Sequence, residues 1–365
     1  MDAVLPDDLL RVAALSSRLV NLITRNLGPY LMELWRRELQ ARDVTEQRER
    51  NRMRTLFELN EKQFPDFYRF SKEQYLLLES ALELPATLTL NNGCLISGRE
   101  ALLMTIRRLA HPVRMVTVGD EGFGYPESTC SRAIRKMIRW LDGKYAHLLR
   151  LTPERLSASK LNEYATAVRQ AGCPRTNIVG FIDATMIRIC RPTRDQDLFY
   201  NGHKRCHAVK FQAVTTPDGL IVDFFGAYPA RRHDRIVYNE SGLEERLGAI
   251  LEYTLYGDAG YRGIHRIERP YINYQARGGL SDEEANFNSQ MSKLRVSVEM
   301  MFGMMKRSWG YLDRRHRLYK DDLPAHVRVA AIFTNFLTCL QGGNQVSDMF
   351  ELAPPSLEEY LRGNL

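Results

Sequence analysis

Residues 178–189 read Ile-Val-Gly-Phe-Ile-Asp-Ala-Thr-Met-Ile-Arg-Ile. Valine, isoleucine and phenylalanine crowd this stretch, which predicts an apolar β-strand. Asp183 interrupts it. A carboxylate inside an apolar strand is costly unless it is paired or bound to a metal ion. Two more strands follow at His207–Thr215 and Leu220–Tyr228, and Thr216-Pro-Asp-Gly219 between them makes a good hairpin turn. Ile236–Leu251 reads as a helix and Tyr253–Gly257 as a short fourth strand. A long helix is predicted over Asp282–Trp309 and another over Leu323–Leu340.

The order is therefore three strands, a helix, a strand, then helices. It begins as an antiparallel meander and ends α-rich. This α/β class and order are those of a ribonuclease-H-like core. Two further acids stand out beside Asp183. Asp258 follows the fourth strand in Tyr256-Gly-Asp-Ala-Gly-Tyr261, where glycines allow tight turns and close approach. Glu299 lies on the long helix among Val296, Val298, Met300, Met301 and Phe302. If the first and fourth strands are parallel neighbours, both aspartates reach one carboxyl edge of the sheet, where ligands of open α/β sheets bind. The long helix can then bring Glu299 across the top. Three converging acids repel one another unless a divalent cation neutralises them, and oxygen ligands suit Mg²⁺ or Mn²⁺. Two such ions can activate a water and stabilise the leaving oxygen of a phosphodiester. Taken singly, each acid reads equally as a helix cap, a turn residue or an ion-pair partner. Asp223 in the third strand is a rival, as are Asp195 and Asp197 in a loop. His233-Asp234 reads as a polar pair at a helix N-terminus or as a base beside the ions.

Arg295, Glu299 and Lys306 share one face of the long helix. Arg295 can orient Glu299 there, and Lys306 can hold a phosphate. Ser292–Lys320 holds eight Lys/Arg against two acids, and Ser131–Arg150 six against one. The second cluster lies on a predicted helix opened by Pro126, with Arg132, Lys136 and Arg139 on a face opposite the apolar one. An apolar helix over Leu102–Ala110 precedes it across a glycine-rich turn. That outline is a helix-turn-helix DNA reader, and an ordinary surface helix with a basic side fits this segment equally well. The whole chain has 51 Lys+Arg and 44 Asp+Glu in 365 residues, a formal charge of +7. The excess favours an anionic partner. At 44% hydrophobic and 26% charged, the composition excludes wholesale disorder. No unbroken apolar run approaches the roughly 20 residues of a membrane span. Asp7 and Asp8 stand where a signal peptide carries positive charge, so neither secretion nor a membrane is expected. The six cysteines form no CxxC pair, which fits free thiols.

The domains expected are an N-terminal helical region at 1–85, a helix-turn-helix at 86–150, a catalytic core at 175–340 and a tail at 341–365. Within them stands a set of short blocks: Phe181-Ile-Asp183, Gly202-His-Lys204, His207-Ala-Val-Lys-Phe-Gln212, Arg232-His-Asp234, Gly257-Asp-Ala-Gly-Tyr261, and Arg295 with Glu299, Phe302-Gly303 and Lys306. Together they resemble the PIF/Harbinger group of DDE transposases and the nucleases derived from them, over roughly residues 98 to 340. The resemblance implies a ribonuclease-H-like core in which Asp183, Asp258 and Glu299 are catalytic and hold two Mg²⁺ or Mn²⁺ ions. DNA contacts are expected from Arg132, Lys136, Arg139, Lys204, Arg295 and Lys306. Transposon ends and target DNA are the expected substrates, cut and joined by phosphoryl transfer. A Myb-like DNA-binding partner, self-association into a homo-oligomer and a nuclear location are further expectations. The alternative is a domesticated DNA-binding or scaffold protein without catalysis. The tyrosine that related bacterial transposases carry shortly before the arginine is Ser292 here.

Overall fold

A computed structural model describes residues 28–30, 32–38, 40, 59–119, 123–248, 252–273, 279–318 and 322–363. The chain divides by its contacts into two units, residues 1–58 and 59–365. In the first, residues 28–30 and 32–38 are helical, and Glu33 pairs with Arg36 and Arg37. The rest of residues 1–58 of the expected N-terminal helical region, apart from residue 40, falls outside the described residues.

The second unit is built around a mixed sheet. Its strands are β3 (Ile178–Arg188), β4 (Tyr200–Asn201), β5 (Cys206–Thr215), β6 (Ile221–Pro229), β7 (Thr254–Tyr256) and β8 (Ile267–Glu268), after a small hairpin of β1 (Thr87–Thr89) and β2 (Leu95–Ser97). The order across the sheet is β6-β5-β3-β7-β8, with β4 beside the start of β5. β6, β5 and β3 run antiparallel; β7 and β8 continue parallel to β3. An antiparallel meander followed by parallel strands is consistent with a ribonuclease-H-like core. The turn at Thr216–Gly219 closes the β5–β6 hairpin. Gly219 takes a positive φ there, and the buried Asp218 accepts bonds from Thr216 Oγ1 at 2.6 Å and Tyr164 Oη at 2.6 Å.

Helices cover both faces. In chain order they are α1 (Gln63–Tyr68), α2 (Lys72–Ala81), α3 (Gly98–Ala110), α4 (Met115–Val118), α5 (Glu127–Tyr145), α6 (Ala158–Gln170), α7 (Gln196–Phe199), α8 (Asp234–Ser241), α9 (Leu243–Gly248), α10 (Asp282–Ser308), α11 (Leu323–Gln341), α12 (Gln345–Phe350) and α13 (Leu357–Leu361). Alternation along β3 assigns the faces. Phe181 points to one side, where it stacks on Phe350 of α12 at 5.8 Å and meets Tyr256, which meets Phe287 of α10. The other side carries Gln212 and Tyr261, and Tyr261 packs on Tyr238 of α8. α10 starts on a Ser281–Glu284 capping box with three acids in its first turn and ends with Lys306 and Arg307. Both ends therefore match the helix dipole.

α11 is buried along nearly its whole length. It is long and apolar enough to cross a membrane, yet 83% of its most apolar window is buried inside the protein. Its Asn335, fully buried, bonds both backbone groups of Ile221 and the Tyr360 hydroxyl, tying together the start of β6, α11 and α13.

Several expectations change in detail. The single helix expected over 236–251 is two helices, broken by Gly242 in the left-handed region at φ 66°. The segment expected as a tail carries α12 and α13, with Phe350 and Tyr360 buried. The Pro126-led helix forms as α5, and α3, the one-turn α4 and α5 pack on one another. α5 also leans on α11, where Arg328 grips Asp142 through two bonds of 2.6 and 2.7 Å. Residues 59–365 form one contact unit, so this helical trio is packed into the same body as the sheet.

Candidate active site

β7 ends where β3 does not. Tyr256 pairs with Phe181, the last parallel partner in the register. Asp183 lies two residues beyond Phe181, and Asp258 two beyond Tyr256. Asp258 thus leaves the carboxyl end of β7 next to the part of β3 that carries Asp183, where the parallel pairing stops while β3 runs on beside β5. The block Gly257-Asp-Ala-Gly-Tyr261 is shaped by close packing. A Cβ on Gly257 would stand 2.8 Å from Tyr261 and 2.9 Å from Ile182. A Cβ on Gly260 would stand 2.9 Å from Asp258 Oδ1 and 3.2 Å from Asp234 Oδ2. The Gly260 amide donates to Asp258 Oδ1 at 2.9 Å, and the Ala184 amide to Asp183 Oδ1 at 2.7 Å.

Burial pushes the Asp183 carboxyl up to about 6, and the Asp258 charge adds to the rise. Asp258 is raised as well, by burial first and then by repulsion from Asp234. Arg295 reaches in from α10. Its guanidinium donates to Asp183 Oδ2 at 3.2 Å and to Glu299 Oε1 at 2.6 Å. Arg295 therefore stands between two of the three expected acids and orients both. The Glu299 side chain is 52% exposed, against 19% for Asp183.

A fourth carboxylate joins this corner. Asp234, the first residue of α8, pairs with the Lys210 ammonium at 2.8 Å, and that ammonium also bonds the Arg232 carbonyl at 2.7 Å. His233 precedes it as the capping residue without a side-chain cap bond. Asp234 is thus both the helix-end group and a neighbour of Asp258. Lys210 is a charge inside an apolar strand, the same signal that marks Asp183. Asp223, the rival carboxylate, lies elsewhere. It is 2% exposed, bonded to Arg246 at 2.7 Å and to the Leu151 amide at 3.1 Å, which gives it a structural role.

Among the described residues, no three His, Cys, Asp or Glu side chains are disposed to hold an ion between them. Asp183 and Asp258 have the donor chemistry for a hard divalent cation: two partly buried, mutually repelling carboxylates. Glu299 faces Arg295 instead.

The expected DNA contacts are distributed around this corner and farther off. Lys306 is half-buried, with its ammonium on the Met186 carbonyl at 3.3 Å, three residues past Asp183; burial lowers its pKa. Lys204 is exposed in the turn before β5. Arg132, Lys136 and Arg139 lie together on α5, away from its buried face. Arg132 bonds Ser128 Oγ at 3.4 Å, Lys136 bonds the Thr89 carbonyl and Arg139 pairs with Asp322 at 3.5 Å.

Residues 182–335 match a family described as DDE superfamily endonuclease. The matched stretch contains Asp183, Asp258 and Glu299. Over 121 residues the chain is 27% identical to a probable transposase for insertion sequence element IS702 from Microchaete diplosiphon. That similarity covers 32% of this chain and 42% of the relative. No solved structure matches the chain.

Proposed function

With the similarity of residues 182–335 to DDE superfamily endonucleases as premise, we propose that this protein is a divalent-metal-dependent DNA endonuclease of the transposase type. The observation that supports the reading is the register of β3 and β7, by which Asp258 follows the end of β7 next to the stretch of β3 that carries Asp183. Asp183, Asp258 and Glu299 are the residues to hold Mg²⁺ or Mn²⁺. Ions bound there supply Lewis-acid stabilisation of the phosphate and a nucleophile at neutral pH.

The protein's own groups do the remainder. The β3–β7 pairing holds two carboxylates near each other, and burial first of all raises the pKa of both. Arg295 holds Asp183 in orientation and keeps Glu299 at the same rim. Lys306, anchored on the Met186 carbonyl, places positive charge along β3 on the path of a phosphate backbone. Gly257 and Gly260 leave room for the backbone to fold tightly under the reacting phosphate. The exposed basic flank of α5 provides a second DNA contact in this reading. The finer assignment to the PIF/Harbinger type rests on the short sequence blocks around these residues. Transposon ends as substrate follow from that assignment.

The test is direct. Purified protein with Mn²⁺ or Mg²⁺ is incubated with supercoiled plasmid and with terminal-repeat duplex. Nicking or strand joining is expected, and Asp183→Asn, Asp258→Asn and Glu299→Gln should each abolish it. Cleavage at the wild-type rate by all three variants would refute the assignment.

A further inference from the structure

Past Asp183, β3 runs on without its parallel neighbour and acquires a different one. Ile189 forms a parallel bridge with His316; the Cys190 amide donates to the His316 carbonyl at 2.8 Å, and the His316 amide to the Arg188 carbonyl at 3.1 Å. The segment after α10 is thereby stitched to the end of β3. About the bridge the burial alternates: His316 and Ile189 are buried, while their neighbours Arg315, Arg317 and Arg188 are exposed. Arg191, exposed just past the bridge, adds a further cation at this end. On the opposite side of β3, Arg188 pairs in register with Ala208 of β5, which brings the exposed Lys204 and Arg205 turn to the same end. Lys306 feels both Arg188 and Lys204 as like charges, which places all three in one electrostatic neighbourhood.

Among the described residues, no ion pair to a carboxylate is formed by Arg188, Arg191, Lys204, Arg205, Arg315 or Arg317. A row of exposed cations at the end of a paired backbone, with Asp313 as the acid near Lys306 and no direct ion pair of its own among the described residues, suits an extended anion. We propose that this ridge is a duplex-DNA track that holds the sugar-phosphate backbone on one side of the cleavage site, distinct from the basic flank of α5. The proposal rests on the endonuclease reading of Asp183 and Asp258 and deepens it. Guanidinium groups suit the task because their planar fork can bind phosphate oxygens bidentately. The spacing fits as well. Arg188 is five residues past Asp183, about 17 Å along a strand. Duplex DNA carries one phosphate per strand about every 3.4 Å of its axis, so the ridge meets the backbone about five base pairs from the reacting bond. Contacts of this kind position the duplex and read no bases.

The test is the salt dependence of binding to a short duplex of arbitrary sequence, followed by fluorescence anisotropy in EDTA so that no cleavage intervenes. The variant Arg188→Gln/Arg191→Gln/Arg315→Gln/Arg317→Gln changes exposed side chains only. Each lost phosphate contact lowers the slope of log K against log salt by about 0.9, so a fall of about 3 to 4 is expected. Between about 50 and 200 mM salt the wild type then loses on the order of 100-fold more affinity than the variant. Arg169→Gln with Lys62→Gln, exposed cations outside the ridge, should keep the wild-type slope. An unchanged slope in the fourfold variant overturns the track. A slope that falls on duplex RNA or polyglutamate but not on duplex DNA assigns the ridge to another partner and overturns it equally. The four single variants, each expected to lower the slope by about 0.9, answer the question if the combined one fails to fold. A ridge variant with an unchanged slope in a protein that still nicks plasmid ends this proposal alone. A protein that never nicks DNA, yet loses slope on ridge substitution, ends the endonuclease reading and leaves the ridge standing.

Discussion

Asp183→Asn is expected to make the metal-free protein more stable at neutral pH, the reverse of what most substitutions at a buried site do. The reason is the cost of keeping that carboxylate charged. Its ordinary value of 3.8 rises to about 6 in the folded chain, because burial disfavours the charge and Asp258 repels it; the Ala184 amide and Arg295 offset only part of this. At 1.36 kcal/mol per unit, the ionised form destabilises the fold by about 3 kcal/mol relative to the neutral one. The sign follows from proton counting. Between pH 3.8 and about 6 the folded chain binds more protons at this group than the unfolded chain, so stability falls as pH rises through that window. Above it the whole penalty is present; below it none is. Asparagine removes the charge and keeps the shape. In EDTA near pH 7.5, urea unfolding should show the variant ahead by up to about 3 kcal/mol, with the gap closing as the pH falls to about 3.5. Adding Mn²⁺ should reverse the order, since only the wild type gains a ligated ion. A variant no more stable than wild type in EDTA, or a gap that ignores pH, would refute the account of a carboxylate held in wait for a cation.

Three further outcomes follow from particular contacts. Glu299→Gln should abolish cleavage while changing stability by less than about 1 kcal/mol, because its side chain is half exposed and its bond to Arg295 is an intrahelical pair; plasmid nicking and urea unfolding on the same preparation decide it, and a large loss of stability would contradict the peripheral placement. Gly257→Ala should cost about 1–3 kcal/mol, since the added methyl would lie 2.8 Å from Tyr261 and 2.9 Å from Ile182; an unaltered urea midpoint would show the block to be looser than described. Asn335→Ala should cost about 3 kcal/mol, because it strands the two Ile221 backbone groups and the Tyr360 hydroxyl in the core; a loss below about 1 kcal/mol would mean that water replaces the amide.

The amino-acid sequence by itself determined the elements and the chemical character of the corner. Apolar runs with a charge inside them marked β3 and Asp183. The Thr216–Gly219 turn fixed the β5–β6 hairpin, and the capping box and mixed apolar face fixed α10. These are local signals: turn chemistry, alternation and capping act within a few residues, so they survive in the linear chain. Three things were decided only by tertiary structure. The first is the parallel pairing of β3 with β7, which sets Asp183 beside Asp258 although 74 residues intervene in the chain. The second is the company these acids keep. Arg295 sits between Asp183 and Glu299, and the Asp234–Lys210 pair closes the corner, whereas Asp223, equally acidic and equally embedded in a strand, is neutralised by Arg246 on the far side. The third is the body of the protein beyond the sheet: Gly242 splits one expected helix, and residues after 341 fold back through Phe350 and Tyr360 instead of trailing away. Whether a carboxylate is paired, buried or left facing its like depends on which distant segments the packing brings within a few ångströms. Coulombic and hydrogen-bonding energies are set by that distance and not by separation along the chain.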